Sequence, residues 1–258
     1  MNSFTAFSLS RISLVGPNDN LAKIILDAME NEGLKIEDGD VVVIAQKILS
    51  KAEGRVVDLT RVVPSEKALE IGKKSRKDPR FVEIVLDESK RIIKLSEDIL
   101  LVEDNRGLVC INAGIDKSNV QGKDNFGLLP ADPDRSAQEL MFGIAKLTGK
   151  KVVVVICDTY SRPFRRGQVN FAIGIAGINP FRDYRGKKDL FGQILRVKNI
   201  AVVDEIASAA ELLMGQGEEG TPVVIFKGLS NLTFQKCEKC YTRQLFISAE
   251  EDLFKDAL

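Results

Sequence analysis

Val152-Val-Val-Val-Ile-Cys157 runs directly into Asp158-Thr-Tyr-Ser-Arg-Pro-Phe-Arg-Arg-Gly167. An apolar run without polar alternation reads as a strand covered on both faces. Similar runs stand at Asp40–Ala45, Leu108–Ile111, Ile200–Val203 and Pro222–Phe226. Helical spacing fills the intervals. Leu21, Ile24, Ile25, Ala28 and Met29 follow Asn18 or Asp19 as N-cap, and Pro64-Ser65 opens a helix carrying Leu69 and Ile71. Asp134 is expected to cap a third helix with Leu140, Ile144 and Leu147. Asp204 is expected to open a fourth, ending at Gly215. The stretches Lys73–Lys94 and Arg182–Lys198 are charged and read as helical. The alternation predicts an α/β fold with an α+β tendency, a mixed central sheet and flanking helices. Residues 1–258 read as one catalytic unit, with two lobes whose boundary composition does not place, and an extension of unassigned role over 230–258.

Composition removes several function classes. Lys plus Arg and Asp plus Glu are each 37, so the formal net charge is zero and broad binding to nucleic acid or an anionic membrane is not expected. Histidine is absent, which excludes Ser-His-Asp and Cys-His machinery, an HExxH zinc site and any imidazole base from this chain. Carboxylates, Lys, Arg, hydroxyls and hard cations on oxygen ligands remain. No apolar run reaches the ~20 residues of a membrane span, and Met1–Ser13 lacks the pattern of a secretory signal. These features predict a cytoplasmic protein. Cys110 and Cys157 read as buried small hydrophobes. Cys237-Glu-Lys-Cys240 supplies two ligands where structural zinc wants four, so free thiols in a surface turn are expected, with a disulfide or a shared metal as alternatives.

The chemistry concentrates after strands. Asp158 and Thr159 stand where open α/β sheets bind ligands, and Arg162, Arg165 and Arg166 follow as forks for phosphate or carboxylate. Asn112-Ala-Gly-Ile-Asp116-Lys-Ser-Asn119 offers a second strand-end carboxylate; an Asx turn is the simpler reading of it. Two such carboxylates would hold Mg²⁺ or Mn²⁺ against a triphosphate. Met214-Gly-Gln-Gly-Glu-Glu-Gly-Thr221 permits close backbone approach to a nucleotide but is no Walker loop. Leu14-Val-Gly-Pro17 feeds a helix N-terminus, and Gln46-Lys47 with Lys51 follows a strand; both suit phosphate, with solvated lysines as the alternative.

Taken in order, Gln46-Lys47 with Ser50-Lys51-Ala-Glu-Gly54, Ala113-Gly-Ile-Asp116-x-x-Asn119, Asp158-Thr-x-x-Arg162-Pro-Phe-Arg165-x-Gly167 and the glycine loop after Leu213 resemble the archaeal coenzyme F420-0:L-glutamate ligase family over roughly residues 10–230. Phe164 departs from a more usual Trp, and the chain after Lys227 matches no family role. The resemblance implies a GTP-dependent ligase that adds one L-glutamate, then a second through a γ-linkage, to F420-0. It implies an intertwined homodimer with two divalent ions, Mg²⁺ or Mn²⁺, and K⁺. By motif, Asp116 and Asp158 would hold one metal, and Thr159 and Gln216 the second. Leu14, Val15, Gly16, Pro17, Gln46, Lys47, Lys51, Asn119 and the loop Met214, Gly215, Gln216, Gly217, Glu218, Glu219, Gly220 and Thr221 would contact GTP. Asp158, Arg162 and Arg165 would serve the chemistry: phosphorylation of a substrate carboxylate, then attack by the glutamate amine. A metal-dependent GTP phosphohydrolase and a non-catalytic GTP-binding module are the rival readings.

Overall fold

A computed structural model describes residues 3–10, 12–229, 237, 239–248 and 250–252. The chain begins with β1 (Thr5–Ser8), α1 (Leu21–Asn31), β2 (Val41–Ala45) and α2 (Gln46–Ala52). It continues through β3 (Val56–Asp58), α3 (Glu66–Ser75), α4 (Pro79–Asp87), β4 (Ser89–Ser96), β5 (Ile99–Asp104), β6 (Val109–Ile111) and β7 (Asn125–Gly127). The remainder is α5 (Pro133–Thr148), β8 (Val153–Ser161), β9 (Gln168–Ala176), β10 (Phe181–Asp183), β11 (Asn199–Ala201), α6 (Val202–Met214) and β12 (Val223–Lys227). These elements fall into two units: residues 1–52 with 132–245, and residues 53–131 with 246–258.

The first unit is built on a five-stranded sheet in the order β1-β12-β2-β8-β9. β2 and β8 are parallel and the other neighbours antiparallel, so the sheet is mixed. Val41, Val43, Val153, Val155 and Cys157 face a cluster with Val203, Ile206, Ala207 and Ala210 of α6. The alternate residues Val42, Ile44, Val154 and Ile156 are equally buried, and α1 and α5 pack together with α5 on β8 and β9. Burial on both faces is why these strands read as unbroken apolar runs. Each such side chain contributes roughly 1.5–3 kcal/mol relative to exposure.

β9 is an edge strand, and helix side chains occupy its outer hydrogen-bonding row. Asn170 N donates to Glu211 Oε2 and Ala172 N to Asp204 Oδ1, both at 2.9 Å. The register against β8 then slips by one residue, and the next such donor is Ile175 N, to Asp134 Oδ1 at 2.9 Å. An uncovered row of this kind would invite pairing with another strand. Burial raises the pKa of Asp134 and Asp204 above the ordinary carboxylate value, against the pull of these N–H donors.

The second unit packs α3 and α4 on a three-stranded antiparallel sheet, β4-β5-β6, around Ile71, Phe81, Val82, Val85, Leu100 and Val102. β3 and β7 form a separate antiparallel pair.

Several sequence expectations are corrected. Asn20, not Asn18 or Asp19, caps α1 by accepting from Lys23 N. Asn18 is turned to φ 65° with its N–H on Ala52 O, and Asp19 accepts from Gly16 N. Pro133 starts α5 one residue before Asp134, so Asp132 is its cap. α6 begins at Val202, which shortens the preceding strand and leaves Asp204 in the first turn, bonded sideways to β9. The helix expected to open at Pro64-Ser65 is α3, and Ser65 caps it. The charged stretch Lys73–Lys94 breaks at Arg76–Asp78 and ends in β4. Arg182–Lys198 is not helical. Gly186 and Gly192 adopt positive φ, Asp183 and Asp189 bind backbone N–H groups two residues on, and β10 pairs with β11. Cys237 and Cys240 form a disulfide rather than standing as free thiols, and Cys240 is buried; Cys110 and Cys157 are buried free thiols. Residues 230–236, 238, 249 and 253–258 of the expected C-terminal extension lie outside the described residues.

Candidate functional site

Register brings four of the sequence-predicted segments to one end of the five-stranded sheet. β2 and β8 are parallel, with Ala45 opposite Cys157; β2 ends there, whereas β8 does not stop at Cys157 as its apolar run suggests but continues to Ser161, which sets Asp158 level with Gln46. β12 runs the other way, with Val223 opposite Ile44 and Ala45 N on Pro222 O, so the 214–221 loop arrives at that end. β1 departs there too, with Leu9 N on Val223 O, and Asn18 N on Ala52 O ties the turn after Leu14–Pro17 to the end of α2. Strand ends of this kind are where α/β sheets bind ligands.

Thr159 is the centre of the best-defined cluster. Its Oγ1 lies 3.1 Å from Gln216 Oε1 and 3.1 Å from Asn170 Oδ1. One hydroxyl hydrogen faces two acceptors, so oxygen lone pairs outnumber hydrogens here. Gln216 Nε2 donates to Glu211 Oε1 at 2.9 Å and reaches Asn170 Oδ1 at 3.4 Å. Asn170 is buried, donates through Nδ2 to Cys157 Sγ, and its carbonyl accepts from Ser208 Oγ at 2.7 Å. Burial drives the Cys157 thiol far above its ordinary pKa, so it stays protonated. This set of neutral oxygens fits a hard cation. Asp158 lies opposite Phe171 across the β8–β9 ladder and Thr159 opposite Asn170. Successive strand residues point to opposite faces, so Asp158 and Thr159 address different sides of the sheet.

The flanking segments differ in readiness. Gln46 is buried and accepts from Ser50 Oγ at 2.9 Å. Partial burial, and then the charge of Lys47, pull the Lys51 ammonium below its usual pKa, a cost that an arriving phosphate would offset. Leu14 is exposed. In the glycine loop, Thr221 Oγ1 donates toward Leu213 O and Met214 O, closing the end of α6, and Glu219 Oε2 accepts from Gly217 N. Glu218 is exposed. Arg162 folds back on its own loop, with Nη2 on Arg166 O and a buried Nε that has no hydrogen-bond partner. Arg165 and Arg166 are exposed, after Phe164 at φ 57°.

Asp116 and Asn119 belong to the second unit. Asn112, Ala113 and Gly114 all have positive φ, and Asp116 N and O pair with Gly127. The Asp116 carboxylate accepts from Ser118 N at 2.9 Å and from the Ser118 hydroxyl. This is the expected Asx turn. Among the described residues, no three or more cysteine, aspartate and glutamate side chains form a metal cluster. No described helix is long and apolar enough to cross a membrane.

Sequence reading missed Asn170, Glu211 and Ser208, and took Asp204 only as the opening of a helix. The last three recur at helical spacing beside the apolar Val203, Ala207 and Ala210. Polar residues on the inner face of an amphipathic helix were the available signal.

The sequence model of a family described as F420-0:gamma-glutamyl ligase matches residues 10–228. Among curated proteins, the coenzyme F420:L-glutamate ligase of Methanocaldococcus jannaschii is 44% identical over 221 residues, covering 86% of each chain. That of Methanothermobacter thermautotrophicus is 45% identical over 216 residues, covering 83% of this chain and 85% of the relative. The Archaeoglobus fulgidus protein of the same name is 43% identical over 252 residues, covering 98% and 96%.

Proposed function

The chain belongs to the F420-0:gamma-glutamyl ligase family, and from that premise we propose that it joins L-glutamate to coenzyme F420-0 through amide bonds at the expense of GTP, first one glutamate and then a second by a γ-linkage. The reading rests on the convergence of Gln46, Asp158, Thr159 and the 214–221 loop at one end of the sheet. A carboxylate does not form an amide directly at neutral pH, because its leaving group is oxide. Transfer of the GTP γ-phosphoryl to that carboxylate gives an acyl phosphate; the glutamate amine then attacks the acyl carbon, phosphate departs, and GDP is left. Lys47, Lys51, the N–H groups of the glycine loop and Leu14–Pro17 hold the nucleotide. Arg162 and Arg165 hold substrate carboxylate or phosphate as bidentate donors.

Asp158 would hold one divalent ion, Mg²⁺ or Mn²⁺, and Thr159 and Gln216 a second, with K⁺ as a further cofactor. Bound there, the ions would neutralise charge on the transferring phosphoryl group. Such a transfer depends on positioning and electrostatics more than on a base, which suits a chain without histidine. We place the enzyme in the cytoplasm, where its nucleotide is made, as a homodimer. The exposed Leu190, Phe191, Ile194 and Val197 between β10 and β11 support association through that segment.

The test is turnover of F420-0, L-glutamate, GTP and Mn²⁺ followed by mass. A gain of one or two glutamyl units with matching GDP is expected. GTP consumption without mass gain would instead identify a hydrolase, and binding without consumption a nucleotide-binding module. Asp158→Asn is expected to lower turnover by about 10²–10³-fold, with unchanged thermal unfolding.

A further inference from the structure

Gln216 can offer a cation its oxygen only if its amide is held one way round. The two faces of a side-chain amide have nearly the same shape, so its neighbours decide the orientation. Here both amide hydrogens are engaged on one side: Nε2 reaches Glu211 Oε1 at 2.9 Å and Asn170 Oδ1 at 3.4 Å. The reversed amide would set its oxygen against a carboxylate and a carbonyl. Asn170 is fixed in turn, because its Nδ2 donates to Cys157 Sγ and leaves Oδ1 toward Thr159 and Gln216. Glu211 is fixed as well. Its second oxygen accepts from Asn170 N at 2.9 Å, one of three bonds that hold Asp204, Ser208 and Glu211 of α6 to β9.

We propose that Glu211, supported by Asn170, is the positioning residue that turns the Gln216 carbonyl oxygen toward Thr159 and so forms the cation site between them. The proposal rests on the reading that Thr159 and Gln216 bind a cation. Glu211 suits the task because it spends both oxygens on donors, Asn170 N and Gln216 Nε2. A glutamine at 211 has one oxygen. If that oxygen keeps the Asn170 N–H, its NH₂ faces Gln216 and favours the reversed amide, which turns an NH₂ toward Thr159 and repels a cation.

The prediction is therefore a swap. Mn²⁺ alone is titrated into the purified protein and followed by calorimetry and by the loss of the free-Mn²⁺ paramagnetic resonance signal. Glu211→Gln is expected to weaken one class of Mn²⁺ site by about 10–100-fold. The double variant Glu211→Gln with Gln216→Glu keeps the net charge and restores an oxygen on both sides of residue 216; it is expected to recover the affinity to within severalfold. Asn170→Ala keeps the backbone N–H on Glu211 and is expected to weaken binding less than Glu211→Gln. A purely structural role for Glu211 would not be rescued by exchanging the two side chains. If Glu211→Gln fails to fold, the double variant alone decides, since the proposal requires it to fold and bind. Unchanged Mn²⁺ binding in Glu211→Gln, or a double variant no better than the single one, would overturn the proposal while leaving the cation reading standing. Thr159→Val with every Mn²⁺ site intact would overturn both.

Discussion

The last residues of β8 and the loop after β6 each present a carboxylate, yet they are held in different ways. In β8 the geometry is made by side chains, with Asn170, Gln216 and Glu211 arranged around Thr159. After β6 it is made by the backbone, with Asn112, Ala113 and Gly114 in left-handed conformations and Asp116 paired with Gly127. The first is therefore sensitive to polar swaps that preserve shape. The second depends on left-handed backbone that any side chain added at Gly114 would strain.

Glycine substitutions test that contrast, and the largest expected effect lies in the strand that carries Asn170. A Cβ on Gly174 would overlap the Pro133 carbonyl group, which is backbone and cannot rotate away. Gly174→Ala is expected to cost about 3 kcal/mol in urea unfolding. At Gly114, φ is +69° and a Cβ would overlap the Leu129 side chain, which can yield. Gly114→Ala is expected to cost about 2 kcal/mol, mostly from the left-handed backbone, and to weaken whatever Asp116 binds. If Gly114→Ala proves the costlier change, the second region is no softer than the first.

A smaller effect sharpens the picture of the β9 edge. The folded pKa of Asp134 is raised, chiefly by burial, even though Ile175 N, Thr242 N and the Thr242 hydroxyl all donate to it. A carboxyl with a raised folded pKa binds its proton more tightly in the native state. Its contribution is thus fully present below the unfolded value of 3.8 and is lost as pH rises through the folded value. Asp134→Asn keeps an oxygen for Ile175 N and has no such titration. Its stability relative to the parent protein is expected to improve between pH 3.5 and 6 in chemical denaturation. A difference that stays flat over that range would show that Asp134 ionises in the fold as it does in the open chain.

The apolar runs that became β2, β8 and β12 were legible because each is buried on both faces. β9 was not, because Gln168-Val-Asn170 opens it with polar residues whose partners lie on α6. α6 was placed two residues late because Asp204 looks like a cap, and only tertiary contact shows that it serves Ala172 N. The Arg182–Lys198 stretch was misread because basic composition carries no period, whereas Gly186 and Gly192 carry turns. At the site, Asp158 and Thr159 were readable from their place directly after an apolar run, although β8 itself continues through them to Ser161. Asn170 and Glu211 were not, since their meaning depends on which residue the β8–β9 register sets opposite Thr159.

Among the described residues, β2 and β8 form the one parallel pair, and the chain between them carries the whole of the 53–131 segment. That segment's first and last strands are paired with each other, Val56 opposite Gly127, with Leu128 N on Arg55 O. During folding, closing a loop of about a hundred residues rather than about forty costs roughly 1 kcal/mol. An insert that has already zipped β3 to β7 removes most of that difference. The order of events then follows from connectivity: the insert knots its own ends early, and the strands that carry Gln46 and Asp158 meet late, once the detour between them has become short.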